Sequence, residues 1–80
     1  MKVEIRNYHN APEGRIDCTW TLAPNGHAVC DDADQQEMLE YGGICGSHGR
    51  LYYPKDGEDF LRNYPLEFAN SSFIRAIIVE

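Results

Sequence analysis

Positive charge is missing from the middle of this chain: between Arg15 and Arg50 there is no lysine or arginine. Residues 16–49 instead hold six acids, Asp17, Asp31, Asp32, Asp34, Glu37 and Glu40, five of them within residues 31–40. The rest of the chain carries seven acids and seven bases, so the whole formal charge of −6 resides in the base-free stretch. A pI near 4.9 excludes the basic footprint with which proteins hold nucleic acid, and no direct nucleic-acid binding is expected. Long apolar runs are also missing. The longest, residues 76–79, falls far below the roughly 18–20 residues of a membrane span. The start, MKVEIRNYHN, has no apolar stretch of the signal-peptide kind, so a cytoplasmic domain without membrane association is expected. Cysteine is sparse and odd in number, at three, which fits a reducing compartment and no structural disulfide.

What is present suffices for a small core. A chain of 80 residues buries about 60–65% of its unfolded surface, and 42% hydrophobic content with nine aromatics argues against disorder. Repeats, low-complexity tracts and linkers are absent, so residues 1–80 read as one domain. Val3 and Ile5 alternate with polar neighbours, as do Ile16, Cys18, Trp20 and Leu22. Two such runs around the turn at residues 10–14 predict a hairpin. A second turn at Pro24-Asn25-Gly26 predicts a short third strand over residues 27–30. Asp31-Asp32 suits a helix start, with Met38, Leu39 and Tyr41 as the apolar side and Gly42-Gly43 as the stop. Leu51, Tyr52 and Tyr53 read as a strand, and Asp56 opens a second helix carrying Phe60, Leu61, Tyr64 and Phe68, kinked at Pro65. Residues 73–79 are apolar on both faces, which predicts a strand in the middle of a sheet. The expected fold is α+β: an antiparallel sheet of about four to five strands with two short helices. Its expected core is Val3, Ile5, Ile16, Cys18, Trp20, Leu22, Leu39, Phe60, Leu61, Ile74, Ala76 and Ile78.

Four constellations bear on chemistry. His27-x-x-Cys30 and Cys45-x-x-His48 have the two-residue gaps of a tetrahedral zinc site, and a metal would help so small a core. The alternative is two buried cysteines beside turn histidines. A Cys–His nucleophile lacks an orienting acid at a useful spacing and an oxyanion-loop signature, so no enzyme is expected. Asp32-x-Asp34 opens like a calcium loop, but Glu37 stands where the turn glycine belongs and Gly43 where the bidentate Glu belongs. The acidic segment is the fourth. On a helix Asp34, Glu37 and Glu40 form one slowly rotating stripe with a rise of about 4.5 Å per step. Asp31, Asp32 and the cluster Asp56, Glu58 and Asp59 extend it if the fold joins the two helix starts. Such a surface imitates a nucleic-acid backbone and seats in a basic groove. It is equally the composition of a solvated, soluble helix.

The C-terminal half adds a resemblance. Gly42-Gly43, GRLYYPKDGEDFL from Gly49 to Leu61, Phe68, and SSFIRA from Ser71 to Ala76 together resemble small proteins of phages and prophages. The short, acidic, single-domain profile without an enzyme motif is similar to phage-encoded anti-CRISPR proteins. That resemblance implies a non-enzymatic inhibitor in the cytoplasm of an infected or lysogenic bacterium. Its implied partner is a host protein or ribonucleoprotein with a basic groove, such as a CRISPR effector. The expected binding residues are Asp31, Asp32, Asp34, Glu37 and Glu40, with Tyr41, Tyr52 and Tyr53 as aromatic anchors. No cofactor is expected on this reading. The alternative is a small interaction module stabilised by zinc at His27, Cys30, Cys45 and His48.

Overall fold

The computed structural model describes residues 1–46, 49–64 and 73–79. The alternating segments form β1 (Lys2–Asn7) and β2 (Arg15–Leu22), an antiparallel hairpin that pairs Val3 with Trp20 and Ile5 with Cys18. β3 (Ala28–Cys30) adds to the outer side of β2 and β6 (Ile74–Ile78) to the free side of β1. The sheet order is therefore β3-β2-β1-β6. β4 (Ile44–Cys45) and β5 (Leu51–Tyr52) make a separate two-stranded ladder. Helix α1 (Ala33–Tyr41) follows β3; a single 3-10 turn (Pro54–Asp56) leads into helix α2 (Gly57–Asn63). The fold is α+β, with two short helices and a four-stranded antiparallel sheet. Among the described residues no helix is long and apolar enough to cross a membrane.

Two core expectations fail for identifiable reasons. The β1–β2 register shifts between Ile5 and Arg6, so Cys18 faces Ile5 but Ile16 faces Arg6. Asp17 is thus an extra residue in β2. One extra residue reverses which side chains point inward, and Ile16 is left half exposed on the outer face. β6, expected in mid-sheet, is an edge strand. Its inward residues Ile74 and Ala76 pack only partly against the core, and Ile78 is 54% exposed at the rim. Conversely Ala28, Cys30, Ile44 and Tyr52 are buried although they lie on strands of two or three residues, too short to display a period. The expected kink at Pro65 and the packing of Phe68 lie outside the described residues.

Phe60 is the hub of the core. Its ring meets Trp20 of β2 edge-to-face at 4.8 Å and Tyr52 of β5 at 5.6 Å, and stacks on Tyr64 at 4.7 Å. One side chain thereby joins the large sheet, the small ladder and α2, at about 0.5–1.5 kcal/mol per aromatic pair beyond the area buried. Trp20, Phe60, Leu39, Leu61 and Val3 are the largest fully buried side chains.

Seating Phe60 this deeply brings the start of α2 onto the backbone of the β2–β3 turn. A Cβ at Gly57 would collide with the Gly26 carbonyl oxygen and sit 2.7 Å from the Ala28 nitrogen. Backbone on both sides leaves nothing flexible to give way. Gly57 itself is helical, with φ of −52° and ψ of −48°, so helix propensity alone would favour alanine there by about 1 kcal/mol. Overpacking opposes this with about 2–3 kcal/mol and prevails. Gly57→Ala should therefore lower Tm by roughly 10 °C in a thermal melt. Gly26→Ala meets no atom within 4 Å and carries only the strain of φ at 86°, about 1 kcal/mol. A Gly57→Ala protein as stable as wild type would show that the close approach is not real.

Candidate functional site

The acidic helix is fixed to the sheet at its first turn. The Asp31 N–H donates to the Thr19 carbonyl at 3.1 Å, and the Thr19 N–H donates to Asp31 Oδ1 at 2.8 Å. One further rung thus continues the β2–β3 ladder. Asp32 is the N-cap, extended at φ −90° and ψ 118°, and accepts from the Asp34 N–H at 3.2 Å. Gln36 reaches back from the helix to accept the Cys30 N–H at 2.5 Å. At the other end the Gly42 N–H closes the last turn on the Met38 carbonyl at 3.1 Å.

Beyond this attachment α1 is mostly surface. Leu39 is its only buried residue. Successive residues turn by 100°, so Asp34, Glu37, Met38 and Tyr41, at i, i+3, i+4 and i+7, share the side opposite Leu39. All four are exposed, Met38 by 54% and Tyr41 by 81%. Met38 and Tyr41 were expected to line the apolar side with Leu39, but the three residues do not lie on one face. Spacing from Asp34 rather than from Leu39 is the signal that reveals the outward stripe. Glu40 flanks it and accepts from Gln36 Nε2 at 3.3 Å.

The five candidate acids thus divide. Asp31 and Asp32 spend their carboxylates inside the fold, as strand rung and helix cap. Asp34, Glu37 and Glu40 form no ion pair among the described residues. The second acidic cluster behaves oppositely: Glu58 pairs with Arg62 at 3.0 Å and Asp59 with Arg50 at 2.9 Å. Asp56 accepts the Tyr53 N–H at 3.0 Å. The expected extension of the acidic surface across α2 is therefore neutralised locally.

The aromatic candidates divide too. Tyr41 stands on the acidic stripe. Tyr52 is a core residue against Phe60, with the Arg50 guanidinium 4.9 Å from its ring centre, so its place as a binding anchor is corrected. Tyr53 is 40% exposed and borders a separate depression with His27, Pro54 and Lys55. A cleft beside α1, lined by Asp17, Cys18, Trp20, Asp32 and Gln35 among others, was not anticipated from sequence.

Three of the four residues of the zinc constellation, His27, Cys30 and Cys45, lie among the described residues. Among the described residues no three of His, Cys, Asp and Glu come together to hold a metal. His27 is exposed, Cys30 is buried, and Cys45 is exposed with its thiol turned to the Gly46 carbonyl at 3.4 Å. His48 lies outside the described residues. Burial pushes the Cys18 thiol up to about 12, with Cys30 as the next contributor. Burial also raises Cys30, against the lowering effect of the Asp32 N–H on its sulfur.

Comparison with protein-family models, curated proteins and solved structures finds no match.

Thiol chemistry provides a check on this geometry. In native buffer a thiol-reactive disulfide reagent should modify one cysteine rapidly, Cys45, and the other two only after denaturation. The Cys18 thiol is also a stability term. It stays protonated in the fold up to about 12, whereas an ordinary thiol ionises near 9. Its contribution is thus intact below pH 9 and is lost as pH rises from there toward 12. Across that window Tm should fall less steeply in Cys18→Ala than in wild type; identical slopes would contradict the burial.

Proposed function

We propose that this chain is a non-enzymatic binding protein that seats the outward face of α1 in a basic groove of a nucleic-acid-handling complex. Occlusion of the groove would be steric and electrostatic, in the manner of the anti-CRISPR proteins that the chain resembles. The observation that carries this reading is the outward face of α1, where Asp34 and Glu37 stand without an ion pair beside exposed Met38 and Tyr41 and Glu40 flanks them.

Energetics favour a binding role for that stripe over a purely structural one. Acids at i and i+3 repel each other by a few tenths of a kcal/mol. Glu40 lies in the last turn, where the helix dipole disfavours negative charge, and no base accompanies it there. Asp34 suits the first turn, but Glu37 and Glu40 are borne against the helix's own stability. A solvated helix needs no such arrangement, whereas a partner with a basic groove is steered by it. Tyr41 and Met38 supply the apolar contact that charge alone lacks, tyrosine being a frequent interface anchor.

The test separates stability from binding. The triple variant Asp34→Asn, Glu37→Gln, Glu40→Gln should melt at the same temperature as wild type or slightly above it. In a bacterium with active CRISPR immunity, wild type should restore plasmid transformation, and the triple variant should do so about tenfold less well. With the captured effector in vitro, affinity should fall with added salt for wild type and much less for the variant. Equal potency of the two proteins, with no salt dependence, would end the proposal.

A further inference from the structure

The alternation of backbone hydrogen bonds turns one edge of β6 away from β1. The Tyr8 N–H donates to the Phe73 carbonyl at 2.8 Å and the Val79 N–H to the Lys2 carbonyl at 2.9 Å. Both lie in the register that pairs Val3 with Ile78 and Ile5 with Ala76. Odd-numbered residues of β6 therefore turn their N–H and C=O groups toward β1. Even-numbered residues turn theirs outward. Ile74 has an interaction of its own, but the outward groups of Ala76 and Ile78 have no partner among the described residues. Among the described residues no other strand lies beyond them, since β6 ends the order β3-β2-β1-β6.

Past the exposed Arg75, this edge lacks the devices that usually prevent pairing. Residues 76–79 are Ala, Ile, Ile and Val, with no charge and no proline, and Ile78 and Val79 are exposed. We infer that β6 is a homodimer interface, pairing antiparallel with β6 of a second copy to form a continuous eight-stranded sheet. One register fits the free groups. With Ile77 on the twofold axis, Ala76 of each copy faces Ile78 of the other. The four hydrogen bonds of those two pairs satisfy the N–H and C=O of Ala76 and Ile78 in both copies.

Charge favours a second copy at this edge. The unpaired acids of α1 lie at the opposite end of the sheet, where α1 follows β3. Two copies joined at β6 therefore meet without opposing charges of the same sign on residues 76–79, and hold their acidic helices at the two far ends. A contact of one strand on one strand is small, so the expected dimer is weak and concentration-dependent.

Sedimentation of the 9.1 kDa chain from about 1 µM to 1 mM should show the mean mass rising toward twice the monomer value. Amide exchange locates the contact. The Ala76 and Ile78 amides should exchange freely in dilute solution and become protected at high concentration, while the Ile77 amide, bonded to Glu4, is protected throughout. Ala76→Pro removes an outward N–H and leaves the β1 ladder untouched, as edge proline permits. Ile77→Lys sets like charges on the axis, yet in the monomer it faces Glu4 across β1 and the fold is supported. Each variant should weaken association about tenfold or more with its circular dichroism spectrum unchanged. A chain that stays monomeric at all concentrations would overturn the inference. So would a dimer in which Ala76 and Ile78 gain no protection, or one that both variants leave intact.

Discussion

The close approach of Gly57 to the backbone of the β2–β3 turn is the constraint on which the exposed helix depends. It lets α2 come down far enough for Phe60 to enter the gap between Trp20 and Tyr52. That packing holds β3, a strand of only three residues that could not persist on its own ladder. From β3 the chain passes through Cys30, Asp31 and Asp32 into α1. The helix buries little beyond Leu39, so its orientation is set by the Thr19–Asp31 rung, the Gln36–Cys30 bond and the Asp32 cap. A buried contact at one end of the core thus places a charged surface at the other.

Electrostatics then distinguishes two helices that composition makes look alike. Both begin with acids. On α2 each carboxylate has a partner: Arg62 one turn on, Arg50 just ahead of β5, and the Tyr53 N–H at the cap. On α1 the caps are used up by Asp31 and Asp32, and the remaining three acids face water without a base. Exposed ion pairs contribute little stability, at most about 1 kcal/mol. Their effect here is on the field instead, since they cancel the charge of α2 and leave that of α1 uncancelled. The acidic surface is narrower than the sequence implies, and more directional.

Legibility followed element length and locality. β1, β2 and α1 show their periods, and the helix start at Asp32 and stop at Gly42 were readable from caps. The bulge at Asp17 was not, because alternation continues through it in sequence and only the partner strand reveals the slip; Ile16 was misplaced for that reason. Tyr52 and Ile44 sit on paired two-residue strands, and Tyr52 is buried against Phe60 from elsewhere in the chain. β6 has an apolar composition that reports two apolar faces but cannot report which strand, if any, lies beside it. Among the site residues, the shared outward side of Asp34 and Glu37 was readable from their spacing, whereas Glu40 flanks that side. The neutralisation of Asp59 was not, since it depends on Arg50, nine residues away across the α2 approach.

We propose that α1, and not acidity in general, is where this chain meets positive charge. A short oligo-arginine peptide titrated into the nitrogen-15-labelled protein, followed by amide chemical shifts, tests it directly. Shifts should concentrate at residues 34–41 and fade as salt is raised, with residues 56–62 little changed. Shifts spread over Glu13, Glu58 and Asp59 as strongly as over Asp34 and Glu37 would contradict it.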